Sequence, residues 1–429
     1  MLKEIRIKNF KSFDDEKIFT MEACPKSEIS EHEEHVLNVC DNRILKLSSV
    51  YGPNGGGKTN LIKAIFLVNQ VFNEIYRSSV DEQNPYMTCV FNENDVTSIV
   101  LFFVTNNYEI GYAFDIKYKI ENTSKQTVGG YVFSPFALVY EIVGEEMSLR
   151  QRGGEFVSIF SRNEDGFVTA NEDIKLDIIL NRVPLSKEKT FLTYVYENYR
   201  NSSNESIPIA IFELISEIQS ITQLKDYIAF PYRGSKKTLE TILSPIKETM
   251  IEMMNNADIR ITDISVKESS ITGSEILIGR SKSNSKKISY IPLEYESNGT
   301  RKLFNLLFDV LRQDETKTKI FLVDDLDSKL HPKLVSSLVE YFSSENNTKS
   351  QLIFNSHDIL NMTPELFRRD EIWFAYRDDN YATELTPLSN ITDYKGKQVR
   401  KDAKYGKQYL EGRYGADPFI KKGLWWPND

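Results

Sequence analysis

The sequence predicts an α/β fold in which a mixed sheet surrounds a phosphate-loop core, with an antiparallel β subdomain and an α-helical insertion. A glycine-rich loop at residues 52–59 lies between a strand pattern and a helix pattern. Strand-like apolar runs separated by polar turns fill residues 97–146, which predicts the antiparallel sheet. Helical spacing of apolar residues dominates residues 172–257. We therefore divide the chain into 1–165, a mainly helical insertion at 166–285, and 286–429, where a parallel sheet resumes.

The glycine-rich loop fits G-x-x-x-x-G-K-[ST], the pattern of loops that wrap the phosphates of a nucleotide. Its glycines allow several backbone N–H groups to point at one anion. Lys58 is expected to reach the β- and γ-phosphates, and Thr59 to offer its hydroxyl to Mg²⁺. The helix pattern that begins at Leu61 adds the favourable field of a helix N-terminus. The predicted nucleotide contacts in this stretch are Asn54, Gly55, Gly57, Lys58, Thr59 and Asn60.

Length and composition limit the class of protein. A chain of 429 residues exceeds the usual size of a single core, so two or three lobes are expected. Its net charge of −9 argues against a surface that binds nucleic acid everywhere, although a local basic groove is compatible with it. Three cysteines without metal spacing indicate reduced thiols. Without a long apolar run or a signal-peptide core, we expect a cytoplasmic protein with no membrane partner.

The first 43 residues contain one predicted strand and one long loop. Ile5 and Ile7 alternate with charged residues, which predicts a half-buried strand. Residues 14–43 are polar and acidic, and we expect a loop there. His32 and His35 have a spacing that suggests a metal site, but with no third ligand nearby a solvated loop is the favoured interpretation.

A second motif begins at Lys319, where an apolar run ends in two carboxylates. This pattern predicts a buried parallel strand that delivers an aspartate to the carboxyl edge of the sheet. Asp324 is expected to hold Mg²⁺, mostly through water, opposite Thr59. Asp325 occupies the position where a catalytic base would orient the attacking water.

Two further segments are candidates for the same site. A strand pattern that starts at Gln351 ends near His357, which can hydrogen-bond a γ-phosphate. The segment 296–304 has a capping-type turn before an amphipathic helix. Two interpretations of this turn remain open: a simple helix cap, or an anion-binding turn that touches a nucleotide held by a second subunit.

Taken in order, these segments resemble the ABC-type ATPase heads of the OLD-like and RecF/SMC-like group. More narrowly, they resemble the stand-alone AAA-family ATPases of bacterial abortive-infection and anti-phage systems. The similarity leaves the helical middle of the chain unsupported. The matching segments are Ile7–Phe13 (opening strand and phosphate-side turn), Gly52–Thr59 (Walker A), Glu296–Thr300 (a shortened signature), Phe321–Asp325 (Walker B), Asp327–His331 (D-loop), His357 (switch histidine) and Tyr409–Phe419 (a closing motif).

The resemblance implies an ABC ATPase head that binds ATP and Mg²⁺. In this class two heads face each other, and each nucleotide lies between the Walker A loop of one and the signature turn of the other. The similarity implies a homodimer or a higher homo-oligomer held together by ATP, since bridging the γ-phosphate favours the closed state. It adds Lys11, Ser297, Gly299 and Asp327 as nucleotide contacts, and it makes Asp325 and His357 the catalytic residues.

The chain departs from this group at two points. The residue after the Mg²⁺ aspartate is usually glutamate, but here it is Asp325, which is one methylene shorter. Catalytic geometry tolerates roughly 0.5 Å of error, so we expect slow turnover and a long-lived ATP clamp. The second departure is the Q-loop glutamine, for which Gln83 is only a weak candidate.

Three functions follow from the resemblance. The first is an ATP-driven sensor or scaffold that controls a separately encoded effector, such as a nuclease, in anti-phage defence. The second is an OLD-type ATP-dependent nuclease; Asp325 and Asp327 mimic its D-x-D motif, but the chain after His357 is too short for a separate Toprim domain. The third is a RecF/SMC-like DNA-repair ATPase, a class with either a long heptad arm or a basic surface that faces DNA; the helical insertion shows no sustained heptads.

Overall fold

The computed structural model describes residues 1–73, 96–122, 127–128, 131–132, 136–171, 184–200, 208–224, 236–269, 273–281, 287–312, 317–392 and 396–416. The strands are Leu2–Lys8 (β1), Lys17–Thr20 (β2), Val36–Val39 (β3), Asn42–Leu45 (β4), Leu47–Tyr51 (β5), Thr97–Val104 (β6), Tyr108–Asn122 (β7), Thr127–Val128 (β8), Tyr131–Val132 (β9), Phe136–Gln151 (β10), Val157–Arg162 (β11), Val168–Ala170 (β12), Ile221–Leu224 (β13), Asp263–Ser269 (β14), Gly273–Ser281 (β15), Ile288–Pro292 (β16), Lys319–Val323 (β17), Ser350–Asn355 (β18), Ile372–Arg377 (β19) and Thr383–Pro387 (β20). The helices are Lys58–Phe72 (α1), Phe191–Tyr199 (α2), Ile209–Ser220 (α3), Lys236–Leu243 (α4), Lys247–Asn256 (α5), Asn298–Leu311 (α6), Pro332–Ser343 (α7) and Tyr405–Leu410 (α8).

A six-stranded sheet in the order β13-β17-β18-β5-β19-β20 positions the candidate site. Its first five strands are parallel, and β20 pairs with β19 in the antiparallel sense. The glycine-rich loop follows β5, the two aspartates follow β17, and His357 lies just beyond β18. Because parallel strands end at the same edge, these three segments meet at the carboxyl edge of the sheet.

The second large sheet has seven strands in the order β12-β11-β10-β7-β6-β1-β2. All of its pairings are antiparallel, as the sequence predicted for residues 97–146. The α/β fold with mixed sheets is thus confirmed.

The six-stranded sheet is covered on both faces, and its apolar strands divide their side chains between two cores. Ile320 and Leu322 of β17 face the core that contains α1 and the seven-stranded sheet. Phe321 and Val323 face the other core, which contains α6 and α7. This alternation explains why the strand reads as a continuous apolar run: both faces are buried.

The prediction of a loop over residues 14–43 was wrong. That segment contains β2 and β3 and the first residues of β4. β2 pairs with β1, and its buried Phe19 packs against Trp373 with ring centroids 5.0 Å apart. These strands are four residues long and are separated by polar turns, so no window holds enough alternation to indicate a strand.

The range 166–285 contains helices α2 to α5, but strands also lie within it. The helical spacing found over residues 172–257 predicted helix beyond Ser220 as well; instead the chain enters β13, which pairs with β17 at the edge of the parallel sheet. A three-stranded antiparallel sheet, β14-β15-β16, follows α5. The three-part division of the chain stays a prediction.

Gln83, Cys89 and the last three residues of the predicted closing motif lie outside the described residues. Within the described part of the chain, no helix has both the length and the apolar character needed to cross a bilayer.

Candidate nucleotide-binding site

The loop between β5 and α1 needs glycine for two separate reasons. Gly52, Gly55 and Gly57 have φ angles of 145°, 76° and 109°, a region that side chains with a Cβ rarely adopt. A Cβ at Gly52 would also lie 2.0 Å from the carbonyl oxygen of Ala375 in β19. The loop is therefore pressed against the neighbouring strand while its backbone N–H groups remain at the N-terminus of α1.

Lys58 is the first residue of α1, and its side chain returns across the loop. Its Nζ donates hydrogen bonds to the carbonyl oxygens of Gly52 at 2.8 Å and Pro53 at 3.0 Å. Burial lowers the pKa of Lys58, and the nearby carboxylates, Asp325 first, oppose that shift. The ammonium group thus stands between the phosphate loop and the acidic end of β17, where a polyphosphate would need a positive charge.

Thr59 and Asp324 are in direct contact. The hydroxyl of Thr59 donates to Oδ1 of Asp324 at 2.9 Å. The same oxygen accepts a hydrogen bond from Nδ2 of Asn355 at 2.5 Å. Asn355, which is fully buried, also accepts a hydrogen bond from the backbone N–H of Asp325 through its Oδ1. A single buried amide therefore fixes both aspartates that end the β17 motif.

Asp325 has a left-handed backbone, with φ of 51°, a region that aspartate tolerates better than most residues. Its carbonyl oxygen accepts a hydrogen bond from Nζ of Lys302 at 2.7 Å. Burial, followed by the charge of Asp324, raises the pKa of Asp325, while His357 acts in the opposite direction. A raised carboxylate pKa makes a stronger proton acceptor, which suits a general base.

Asp327 and His357 meet at the open side of the site. The backbone N–H of His357 donates to Oδ1 of Asp327 at 3.1 Å, and the histidine ring is exposed. The backbone N–H of Leu326 donates to the carbonyl oxygen of Asn355 at 3.0 Å. The turn that contains Asp327 is thereby held against the end of β18.

The turn after β1 is joined to the phosphate loop. Oγ of Ser12 accepts a hydrogen bond from Nδ2 of Asn60 and shares another with the hydroxyl of Thr383, both at 2.7 Å. Thr383 also donates to the carbonyl oxygen of Gly56 at 3.1 Å. The adjacent Lys11 is largely buried, and burial together with the charge of Lys63 lowers the pKa of Lys11 to about 8.

The predicted signature turn is a helix cap within the protomer. Oγ of Ser297 accepts a hydrogen bond from the backbone N–H of Thr300 at 3.1 Å, so Ser297 is the N-cap of α6. A Cβ at Gly299 would lie 2.6 Å from the carbonyl oxygen of Lys329, which places this turn in contact with the predicted D-loop. Ser297 and Asn298 are exposed. The proposed contact with a nucleotide on a second subunit stays a prediction.

The structure therefore brings Lys58, Thr59, Asp324 and Asp325 together at one edge of the sheet. Sequence reasoning missed Asn355, Thr383 and Lys302. Asn355 carries a weak signal, because it is a polar residue at the end of an apolar strand. Thr383 and Lys302 carry none, since their partners are distant in the sequence.

The residues present fit ATP with Mg²⁺. The hydroxyl of Thr59 and the carboxylate of Asp324 are hard oxygen donors of the kind that Mg²⁺ prefers. The glycine loop forms a cradle that any Cβ at Gly52 or Gly56 would disturb, because it would collide with β19. Lys58 supplies the positive charge. These groups satisfy the requirements for phosphate and metal at adjacent positions.

Part of the chain is similar to a described protein family. Residues 255–362 match the family described as "AAA domain, putative AbiEii toxin, Type IV TA system", and this range includes Ser297, Asp324 and His357. No curated protein matches the chain. Over residues 255–362 the chain is thus similar to an AAA-domain family.

The solved structures that the chain is similar to include three SMC heads. The SMC head domain from Thermotoga maritima is 16% identical, with a TM-score of 0.37, and the match covers 90% of this chain and 98% of that one. An Smc head bound to the C-winged helix domain of ScpA is 13% identical, with a TM-score of 0.39 and coverage of 91% and 99%. An Smc head with an extended coiled coil, bound to the C-terminal domain of ScpA derived from Pyrococcus furiosus, is 12% identical, with a TM-score of 0.38 and coverage of 90% and 95%.

Proposed function

We propose that the protein binds ATP with Mg²⁺, hydrolyses it slowly, and dimerises around it. In this proposal it acts in the bacterial cytoplasm as a sensor or scaffold that controls a separately encoded effector during anti-phage defence. The observation that carries the ATPase proposal is the contact between Thr59 and Asp324 beside Lys58 in a glycine cradle. This arrangement places a cation for phosphate next to two oxygen donors for a metal ion.

Each residue of the site has a defined task in this proposal. The N–H groups of the glycine loop and Lys58 bind the β- and γ-phosphates, and Lys11 adds positive charge beside the loop. Thr59 and Asp324 would hold Mg²⁺, which supplies charge neutralisation on the phosphates when bound. Asp325 accepts a proton from the attacking water. His357, just beyond the end of β18, lies close enough to Asp325 for its charge to act on that carboxylate.

Slow turnover follows from Asp325. Its backbone is fixed by two hydrogen bonds: its N–H donates to Oδ1 of Asn355, and its carbonyl oxygen accepts from Nζ of Lys302. A shift of the loop that carried the carboxylate towards the phosphate would therefore have to break these hydrogen bonds. The shorter side chain leaves the base one methylene back from the position that a glutamate would reach.

The dimer is supported by the exposure of the turn at Ser297. The first N–H groups of α6 lie at this turn, and a helix N-terminus favours an anion. Within the protomer the turn packs on the D-loop through Gly299. In an isologous dimer, the turn of one copy would face the phosphate loop of the other.

A mixing experiment tests this arrangement. Lys58→Ala removes the phosphate cation, and Ser297→Arg obstructs the turn; each variant alone should lose ATP-dependent dimerisation, measured by light scattering, and ATPase activity. If each site uses one residue from each copy, mixed dimers contain one intact site. Because neither variant should dimerise with itself, an equimolar mixture should then recover up to about half of the wild-type sites. Absence of recovery, with both variants folded, would contradict the shared site.

Two further measurements separate this proposal from its alternatives. Strong stimulation of the ATPase by DNA would favour a DNA-repair ATPase instead. Cleavage of DNA by the purified chain alone, abolished in Asp327→Ala, would favour the nuclease. Copurification of the chain with the product of a neighbouring gene, released after addition of ATP or phage lysate, is the expected result for a scaffold.

A further inference from the structure

Two histidines and a glutamate converge just before β3, away from the nucleotide site. One ligand atom each from His32, Glu34 and His35 lie within 4.8 Å of one another. Nδ1 of His32 is 3.2 Å from Oε1 of Glu34, and Nε2 of His35 is 3.7 Å from the same oxygen. The interpretation of these histidines as a solvated loop without a third ligand was wrong. Glu34, between them in sequence, is the third group, and His35 is only 4% exposed.

The outer nitrogen of each ring is already held by a hydrogen-bond acceptor. Nε2 of His32 lies 2.8 Å from the carbonyl oxygen of Pro364, and a carbonyl only accepts, so this nitrogen carries a hydrogen. Nδ1 of His35 lies 2.9 Å from Oε1 of Glu371, which is fully buried. Metal-binding histidines characteristically donate their second N–H to a carbonyl or a carboxylate in this way.

These outer hydrogen bonds leave Nδ1 of His32 and Nε2 of His35 as the ring nitrogens that can bind a further group. With the hydrogen on the outer nitrogen, the inner nitrogen of each ring is the atom that would bind a cation beside Glu34, and Glu34 contributes a negative charge. Three such acceptors within 4.8 Å of one another need positive charge among them, supplied either by protons on the rings or by a metal ion. Because Glu34 is exposed, its side chain is free to close on that cation.

We propose that His32, Glu34 and His35 bind one divalent transition-metal ion, and that this ion is zinc. Two imidazoles and one carboxylate are a donor set suited to Zn²⁺, with water in the fourth position. Glu371 and the Pro364 carbonyl are the outer groups that orient the two rings.

The position of the site indicates a structural role. The carbonyl oxygen of Glu371 accepts a hydrogen bond from Oγ of Ser48, in the first half of β5. The metal would therefore join the segment before β3 to the segment before β19, at the amino end of the parallel sheet. The nucleotide site lies at the carboxyl end. The ion should accordingly stabilise the fold and take no direct part in ATP chemistry.

The test uses the full chain without a histidine tag, stripped of metal by a chelator. It is made in an Asp324→Asn background, so that the predicted Mg²⁺ site does not compete. Co²⁺ is titrated and followed by its visible absorption, and Zn²⁺ is titrated against a chromophoric chelator. We expect one equivalent of each metal to bind, and the melting temperature to rise by a few degrees with Zn²⁺.

Two variants and one control make the test specific. His32→Asn keeps a residue that tolerates the left-handed backbone at φ 51°, and Glu34→Gln removes only the charge. Each should weaken Zn²⁺ binding at least about tenfold and abolish the rise in melting temperature. Glu28→Gln removes a charge from the same exposed segment and should leave both unchanged. Circular dichroism confirms that each variant is folded.

The proposal is wrong if the parent protein binds no stoichiometric Co²⁺ or Zn²⁺. It is equally wrong if the His32→Asn and Glu34→Gln variants bind these metals as tightly as the control. In either case the cluster is an ion pair between protonated imidazoles and Glu34.

Discussion

Lys11 provides the most direct link between the structure and a solution measurement. Burial, reinforced by the charge of Lys63, lowers the pKa of Lys11 to about 8. A phosphate bound beside the lysine would favour its charged form and return the pKa towards its usual value near 10.5. If Lys11 contacts the nucleotide, ATP binding must therefore be accompanied by proton uptake at mildly alkaline pH.

The size of the uptake follows from the pKa. A group with a pKa of 8 is about nine-tenths protonated at pH 7, half protonated at pH 8 and one-tenth protonated at pH 9. If Lys11 is fully protonated in the complex, each ATP that binds should be accompanied by the uptake of about 0.1 proton at pH 7, about 0.5 at pH 8 and about 0.9 at pH 9. Phosphate itself titrates near pH 6 and contributes little in this range.

Calorimetric titration of ATP in buffers of contrasting ionisation enthalpy measures this uptake. Lys11→Arg is the matched control, because a guanidinium stays charged throughout and should bind ATP without the extra proton. Lys11→Met should lose both the uptake and part of the affinity. Lys58 remains in all three proteins, so its own lowered pKa cancels in the comparison. Equal uptake in wild type and Lys11→Arg would refute the contact between Lys11 and the nucleotide.

The same lysine predicts a stability profile without nucleotide. The folded-state pKa lies below the unfolded value, so the unfolded chain binds the proton more tightly between about pH 8 and 10.5. Below pH 8 the cost of burying the charge is fully present. As pH rises through this window, the contribution of Lys11 should increase stability, and Lys11→Met should flatten that increase in denaturant titrations.

Three other substitutions test the rest of the site. Asn355→Ala removes two buried hydrogen bonds, one to Asp324 and one with the N–H of Asp325. It should destabilise the fold by about 2–5 kcal/mol and raise the Mg²⁺ concentration needed for turnover. Denaturant and Mg²⁺ titrations measure the two effects, and an unchanged Mg²⁺ requirement would contradict the role given to the amide. Gly52→Ala should abolish ATP binding and destabilise the fold, since its Cβ would lie 2.0 Å from a carbonyl oxygen of β19; retention of ATP binding, measured by calorimetry, would show that the loop can move aside. Asp325→Glu should raise the ATPase rate. It should also lower stability by up to about 1 kcal/mol, because glutamate tolerates the left-handed backbone less well. A rate that rises little or not at all would remove the explanation given for slow turnover.

A control for Asn355→Ala is available at the next position. Ser356 is also buried, and its Oγ accepts a hydrogen bond from the N–H of Asp358 at 2.9 Å. Ser356→Ala should lower stability without changing the Mg²⁺ requirement. The comparison separates loss of packing at the end of β18 from loss of the hydrogen bond to Asp324.

The sequence predicts those parts of the site whose residues are close together along the chain. The phosphate loop requires glycines, a lysine and a threonine within ten residues, and its neighbouring strand and helix have clear periodicity. The run before Asp324 is recognisable because both faces of β17 are buried. In both cases a single stretch of chain contains all the residues that identify the motif.

The parts that were missed depend on contacts between distant residues. Thr383 meets Ser12 across 371 positions, and Asn355 meets Asp324 across 31. At Ser220 the helical pattern of α3 passes into β13 without a glycine or a proline, so nothing local marks the change. Only pairing with β17 makes that segment a strand, which is a tertiary effect that outweighs local propensity.

The contacts of α6 connect the two ends of the proposed dimer site. Lys302 binds the backbone of Asp325, and Gly299 packs against Lys329 in the D-loop, both from the first two turns of α6. The same helix begins at the exposed turn of Ser297. In a dimer with shared sites, Asp325 serves the nucleotide of its own subunit, whereas Ser297 serves that of the partner. A shift of the Asp325 loop would therefore be transmitted through α6 to the other site, so the two sites should not release ATP independently.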